Sequence, residues 1–290
     1  MKLSIIIVNW NTRDLVVRCL HSIIKNPPSF LFEVIVVDNG SADGSTDTIA
    51  NLFGHNKRVR LVTSLRNLGF AGGCNLGYKH AAGEYILLLN PDTEVRAGTL
   101  DGLAHYLDTN ADAGIVGPKI LNPNGTTQAS VRRFPGLWSS MAVFSGLHRF
   151  LSPSRYLMTD FDYDKEASVD QVMGAALLTR RKIIETIGFL DEKFWLWYEE
   201  VDFCKRVKEA GYEVKFYPKA VIMHHKRAGF SQIPVYKRKR TVARSIIYYF
   251  QKNGHFWDVW IIRLTLPAVL LAAKTADFLQ KLFGIKMRPR

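Results

Sequence analysis

Tyr85-Ile86-Leu87-Leu88-Leu89-Asn90-Pro91-Asp92-Thr93-Glu94 decides how this chain is read. Its apolar run has no polar alternation, which suits a strand buried on both faces of a parallel sheet; a strand with one wet face would alternate. The run ends at Asn90-Pro91-Asp92. Pro91 fixes φ and removes a donor, and Asp92 sets a hard carboxylate oxygen just beyond the strand. Mg²⁺ or Mn²⁺ takes one or two such carboxylates together with substrate phosphates, so the stretch reads as a metal–diphosphate site. Asn-Pro-Asp is also a good turn sequence, and both readings stand at this point.

Leu3–Asn9, Val34–Asp38 and Val59–Thr63 are short β-branched or leucine-rich runs of the same kind. Helix candidates lie between them at Asp14–Lys25, Ser45–Phe53 and Ala71–Ala82, with Asn11 or Thr12 as a cap of the first and Ser45 of the second. Strand–helix alternation with short links predicts right-handed βαβ units and an α/β fold with a mostly parallel central sheet flanked by helices. In such sheets functional groups gather outside the carboxyl ends of the strands. Asn9, Asp38, and Asn90 with Asp92 stand at three of the four ends.

The region from Arg132 to Asp170 is irregular and reads as a mobile connection or acceptor-side lid. Order returns at Gly174–Thr179, followed by a helix from Arg181, a helix over Glu199–Ala210 and a strand over Tyr217–His225. The expected organisation is a unit over residues 1–235, made of halves at about 1–118 and about 119–235. Residues 236–290 form a basic, amphipathic helical extension.

Charge separates the same regions. Residues 1–200 carry 20 Lys/Arg against 21 Asp/Glu, a net of −1, whereas residues 201–290 carry 19 against 5, a net of +14. A neutral body with a basic tail, including Lys237-Arg238-Lys239-Arg240, points to an anionic surface such as a phospholipid leaflet or nucleic acid. A solvated charged helix is the plainer account. The longest uncharged stretch of the tail, Leu264–Ala273, is only ten residues and contains Pro267. A spanning helix needs about 20 apolar residues, so with Arg263 and Lys274 at its ends the segment is expected to lie in the membrane interface. The scattered cysteines Cys19, Cys74 and Cys204 fit a reducing, cytoplasmic setting, and Leu3 to Trp10 is too short and strand-like for a secretory signal.

Several further segments carry chemistry. Asp38 ends its strand before Asn39-Gly40-Ser41, where a carboxylate can accept from a base or ribose; an ordinary turn reads equally well. Arg66-Asn67-Leu68-Gly69-Phe70-Ala71-Gly72-Gly73-Cys74-Asn75 allows close backbone approach to a ligand and offers an arginine to phosphate. Tight helix packing would need the same glycines. Trp195-Leu196-Trp197-Tyr198-Glu199-Glu200 sets paired carboxylates beside aromatics, as a general base against a sugar-binding wall requires, although glutamates are also favoured at a helix start. Of His224 and His225 only one can face a given crevice. Strand register favours His224 as the metal-site partner, while spacing to Ser231 favours His225.

Taken in order, S-I-I-I-V-N-W-N, V-V-D-N-G-S-A-D-G-S, R-N-L-G-F-A-G-G-C-N-L-G, L-L-L-N-P-D-T-E-V, G-A-A-L-L-T-R-R and W-Y-E-E-V-D-F-C-K-R-V-K-E-A-G-Y resemble the inverting family 2 glycosyltransferases, especially their rhamnosyltransferase-like branch. The resemblance covers about residues 2–250. It implies a GT-A fold whose half at about 1–118 binds the nucleotide and whose half at about 119–235 takes the acceptor, a Mg²⁺ or Mn²⁺ cofactor, and transfer from a dTDP- or UDP-sugar to a glycan or polyprenyl-diphosphate-linked acceptor. It sets Asp38 on the nucleotide, with Asn9, Asn39, Arg66, Asn67, Gly69, Asn75 and Asn90 around the donor. Asp92 and His224 fall on the metal and Glu200, with Glu199 beside it, on the base. Arg132, Arg133, Trp195 and Trp197 fall on acceptor or phosphate. Two residues depart from the family pattern: Asn90 replaces the usual first aspartate of D-x-D, and Glu199-Glu200 stands where many relatives have Glu-Asp.

The enzyme is then expected at the cytoplasmic face of the cell membrane, with no nucleic-acid partner. A sugar nucleotidyltransferase would need a glycine-rich loop after the first strand, where Asn9-Trp10-Asn11-Thr12-Arg13 has no glycine. A non-enzymatic basic adaptor would need none of the carboxylates at three separate sites.

Overall fold

The computed structural model describes residues 1–146, 154–225 and 233–283. The fold begins with β1 (Leu3–Asn9), α1 (Arg13–Lys25), β2 (Phe32–Asn39), α2 (Ser45–Phe53), β3 (Val59–Ser64), α3 (Gly69–Tyr78) and β4 (Tyr85–Leu89). These strands lie parallel in the order β3-β2-β1-β4, as the apolar runs require. Ile5, Ile7, Val34 and Val36 face one layer of the core; Ile6, Val8, Ile35 and Val37 face the other, and all are buried. Full burial of each such side chain is worth about 1.5–3 kcal/mol.

The second half is less regular. It comprises β5 (Thr93–Val95), α4 (Thr99–Thr109), β6 (Ala113–Leu121), β7 (Val131–Arg132), α5 (Leu137–Ser145), α6 (Ser154–Leu157), β8 (Ala167–Val169), β9 (Gln171–Val172), β10 (Ala176–Arg180), α7 (Arg181–Ile187), α8 (Glu199–Glu209) and β11 (Glu213–His224). Strand β10 inserts antiparallel between β4 and β6, β11 follows parallel to β6, and β5 closes the edge. Strand β11 begins four residues before the expected Tyr217. Its register with β6 shifts between Tyr217 and Val221, around Pro218-Lys219, and that irregularity hides the first half of the strand from a periodicity reading. Described residues between Arg132 and Asp170 are packed: Phe134 N donates to Asp170 Oδ2 at 3.0 Å, and Phe134, Leu137 and Met141 sit against the core.

Cap expectations change in detail. Thr12 precedes α1, but its hydroxyl donates to Asn9 Oδ1 at 2.7 Å rather than capping the helix. Ser45 is the first helical residue, and Asp43 Oδ1 receives its amide at 3.1 Å.

Helices α9 (Val235–Lys252) and α10 (Phe256–Phe283) complete the described chain. Helix α9 packs its Val242, Ala243, Ile246, Tyr249 and Phe250 against Phe194 and Val201, so residues 236–252 share a core with the body. Ser245 Oγ donates to Leu196 O at 2.8 Å, and Lys252 bridges Asp191 at 2.9 Å and Asp202 at 2.8 Å. The basic run also divides: Lys239 turns inward to the Phe144 carbonyl, while Lys237 and Arg240 are exposed. Helix α10 continues through Pro267, and its segment Phe256–Thr275 is 20 residues long with mean hydropathy 1.6, enough to cross a bilayer by length and composition.

The glycines of α3 let it lie close on the sheet. A Cβ at Gly77 would stand 2.5 Å from Ile6 Cγ2 and 3.1 Å from Val37 Cγ2. Both atoms belong to β-branched side chains in a filled layer, which cannot swing aside. Gly77→Ala is therefore expected to destabilise the protein by about 1–3 kcal/mol, read as a lower urea midpoint with unchanged slope.

Candidate active site

The carboxyl ends of β1 and β2 form one corner of the crevice. Asp38 accepts from Asn9 Nδ2 at 3.0 Å through Oδ1 and from Ser41 N at 3.1 Å through Oδ2, so the loop after β2 is tied to the carboxylate. Asn9 is fully buried and also reaches Ser41 Oγ at 3.2 Å; it fixes Asp38 from behind.

Asn39 and Asn67 pin the glycine loop. Asn39 Nδ2 donates to Gly69 O at 2.9 Å, Leu68 N donates to Asn39 Oδ1 at 2.9 Å, and Gly69 N donates to Asn67 Oδ1 at 2.8 Å. Gly69 has φ +77°, and a Cβ there would meet Trp195 O at 2.3 Å. Phe70 N donates to that same carbonyl at 3.0 Å, so Trp195 joins the donor loop to the second half instead of standing as an open wall. Asn75 Nδ2 is spent on Leu190 O at 2.8 Å and Glu192 Oε1 at 3.0 Å. Arg66 is exposed at the rim.

At the end of β4 the two candidate metal ligands meet: His224 Nε2 is 3.2 Å from Asp92 Oδ1, both groups nearly buried. His225 turns instead to Glu94 Oε1 at 2.6 Å, so of the two histidines His224 is the one beside Asp92. Asn90, half-buried, donates its backbone N to Ala175 O at 2.9 Å. Among the described residues no three His, Cys, Asp or Glu side chains converge as a metal cage. One carboxylate and one imidazole fit a Mg²⁺ or Mn²⁺ ion that takes its remaining oxygens from a substrate diphosphate and water. The imidazole's far nitrogen, Nδ1, faces Gln128 Nε2 at 3.1 Å. Sequence reading passed over Gln128, whose segment carries no periodic or motif signal.

Oε2 of both paired glutamates is buried without a hydrogen-bond partner among the described residues, and the two differ in what surrounds the carboxyl. Glu199, 4% exposed, packs toward Cys74, and its Oε2 has no hydrogen-bond partner among the described residues. Burial, then the neighbouring Glu200, pushes its carboxyl well above the usual range. Glu200 is half-buried beside Gly174. Burial raises its carboxyl too, but Arg132 and the amides of Val201 and Gly174 oppose the rise. Tyr156 and Tyr198 are near enough for the charge of this carboxyl to act on them, and neither is singled out in the sequence. Trp197 and Tyr198 have φ of +62° and +77°, a turn that aims the start of α8 into the crevice. Trp197 is 38% exposed. The two arginines part at the end of β7: Arg132, its last residue, is close enough for its charge to act on Glu200, while Arg133, just beyond the strand, is exposed beside Met158, Asp160 and Phe161.

Residues 4–188 match the family model described as Glycosyl transferase family 2. The chain is 27% identical over 255 residues to the N-acetylglucosaminyl-diphospho-decaprenol L-rhamnosyltransferase of Mycobacterium tuberculosis, covering 80% of each protein. It is 28% identical over 217 residues to the low-salt glycan biosynthesis hexosyltransferase Agl10 of Haloferax volcanii, covering 71% of this chain and 61% of that protein. Among solved structures, the mannosyltransferase PcManGT of Pyrobaculum calidifontis, in complex with GDP-Man and Mn²⁺, aligns with a TM-score of 0.60 at 18% identity, over 97% of this chain and 75% of that one. GalNAc-T7 with UDP, GalNAc and Mn²⁺ aligns with a TM-score of 0.61 at 17% identity, over 79% of this chain and 44% of that one. The fold is GT-A.

Glu199 gives this site a stability signature. Its raised carboxyl binds a proton in the folded chain that the unfolded chain has already released, so wild-type stability falls as pH climbs above the ordinary glutamate value, about 4.3. Glu199→Gln removes the titration. The variant's melting temperature is expected to match or exceed wild type, by a margin that widens from pH 5 to pH 8; a margin independent of pH would exclude an ionisable burden at Glu199.

Proposed function

The chain belongs to glycosyl transferase family 2, and from that premise we propose that it transfers a sugar, with inversion, from a nucleoside diphosphate to a hydroxyl of a glycan or polyprenyl-diphosphate-linked acceptor in cell-surface polysaccharide synthesis. A dTDP- or UDP-sugar is the donor, with rhamnose the first sugar to test. The observation that carries this reading is the turn Met173–Ala175. Gly174 lies against Glu200, Met173 touches Gln128 beside His224, and Ala175 holds the backbone of Asn90.

In this reading Asp38 takes the base or ribose, while Asn9, Asn39 and Asn67 keep its loop and the glycine loop in place. Asp92 and His224 hold Mg²⁺ or Mn²⁺, whose chemistry is to neutralise charge growing on the departing diphosphate. Glu200 removes the proton of the acceptor hydroxyl as it attacks the anomeric carbon in line. Its raised carboxyl suits that task, because a stronger base accepts the proton more readily near neutral pH. Arg132, beside Glu200, meets an acceptor or donor phosphate. Trp197 offers a ring to the acceptor sugar, and Glu199 shapes the environment of Glu200.

The same reading sets the enzyme on the inner face of the cell membrane. Trp257, Leu264, Leu271 and Phe278 are exposed and spaced by seven residues, so they form one apolar stripe along α10. Exposed Lys237, Arg240, Arg244, Arg263 and Lys274 lie on the same two helices. Apolar insertion combined with basic residues suits an anionic leaflet.

Replacing Glu200 by Gln is expected to lower kcat by about 10²–10⁴-fold while leaving nucleotide affinity near wild type; unchanged turnover would remove Glu200 from the role of base. Combined Trp257→Ser, Leu264→Ser and Leu271→Ser should abolish flotation with phosphatidylglycerol vesicles at an unchanged melting temperature. Wild-type flotation of that variant would exclude the stripe as the membrane face.

A further inference from the structure

Gln128 lies between β6 and β7, and the reaction outlined above gives it no task. Its side chain is buried, 5% exposed, and its backbone is held by a bond from its N to Ile120 O at 2.8 Å. The carboxamide presents both ends to Nδ1 of His224, Nε2 at 3.1 Å and Oε1 at 3.3 Å. Across the ring, His224 Nε2 stands 3.2 Å from Asp92 Oδ1. Gln128 Nε2 also lies 3.5 Å from Met173 Sδ. A thioether accepts hydrogen bonds and donates none, so the amide nitrogen, rather than its oxygen, belongs between Nδ1 and that sulfur.

This polarity is carried through the imidazole. When Gln128 Nε2–H donates to Nδ1, the neutral ring bears its proton on Nε2 and donates it to Asp92. No lone pair of His224 then faces the carboxylate. A half-turn of the amide brings Oε1 to Nδ1; Nδ1 carries the proton and donates it to Oε1, and Nε2 offers its lone pair beside Asp92. One proton leaves Nε2 and one reaches Nδ1 through solvent, so the ring stays neutral. A carboxamide suits both states because it carries a donor and an acceptor on one rotor, whereas a carboxylate only accepts and an ammonium only donates.

We propose that Gln128 is a positioning residue that sets the tautomer of His224: it keeps the metal-free site closed as a His224–Asp92 hydrogen bond, and opens it to a divalent cation when its amide turns. This rests on the reading of Asp92 and His224 as the cation's ligands. Second-sphere partners of a metal-binding histidine are typically worth 10–100-fold in metal affinity.

The test uses the full chain labelled with ¹⁵N-histidine. Metal-free wild type should show His224 protonated on Nε2, and Mg²⁺ with dTDP should move the proton to Nδ1. Met173→Leu, which removes the acceptor that orients the amide, should mix the two tautomers without metal. Gln128→Leu should weaken Mn²⁺ binding in the presence of dTDP, followed by electron paramagnetic resonance, by about 10–100-fold. Nδ1 protonation in metal-free wild type, or wild-type Mn²⁺ affinity in Gln128→Leu, overturns the proposal. If His224→Ala and Asp92→Asn also bind Mn²⁺ as wild type does, the ligand assignment falls with it; if only those two lose binding, the ligand reading stands and the role of Gln128 does not. Should Gln128→Leu fail to fold, the wild-type tautomer decides alone.

Discussion

The hydrogen bond from Asn90 N to Ala175 O, at the end of the antiparallel pairing of β4 with β10, is the constraint on which the site depends. Strand β4 runs parallel to β1, and β10 runs against β4. The carboxyl end of one therefore meets the amino end of the other, and the turn Met173–Ala175 arrives where Asn90-Pro91-Asp92 leaves the sheet. From that turn Met173 reaches Gln128 and Gly174 lies against Glu200. A slip of one residue in this pairing would turn every side chain of β10 to the opposite face. It would also part Glu200 from Asp92. The buried faces of β10, from Ala176 to Leu178, prevent that slip.

Much of this was legible in the sequence because it follows from burial. Strands wet on neither face read as unbroken apolar runs, and the polar residues at their ends, Asp38, Asn90 and Asp92, stand out by contrast. What stayed hidden was set by contacts between distant segments. Strand β11 was half read because Pro218 and Lys219 interrupt its register with β6. The three residues of β5 make a strand only by pairing with the end of β11. Gln128 and Tyr156 lie in stretches with no local pattern, and only tertiary packing brings them to His224 and Glu200. The asparagines show the opposite case: Asn39, Asn67 and Asn75 were visible as polar residues near glycines, but their amides are occupied in holding backbone.

The C-terminal helices divide differently by charge and by packing. Residues 236–252 look in sequence like the start of a basic tail, and in the structure α9 packs against the turn that precedes Glu200. Trp197 and Tyr198 both adopt left-handed backbone, a conformation that costs about 1–3 kcal/mol at each non-glycine residue and persists only where surroundings over-determine it. Ser245 fixes the carbonyl of Leu196 just before that turn, the Tyr249 ring lies 5.3 Å from that of Tyr198, and Lys252 ties Asp202 in α8 to Asp191. Helix α9 thus holds the strained turn from one side, and α10, which carries the exposed apolar stripe, packs on α9 through Val259 and Ile262. The face suited to a membrane and the turn that presents Glu200 are therefore two ends of one packed helical pair. Removing residues from 237 onward would take away both, whereas substitutions confined to the exposed stripe leave the support of the turn in place.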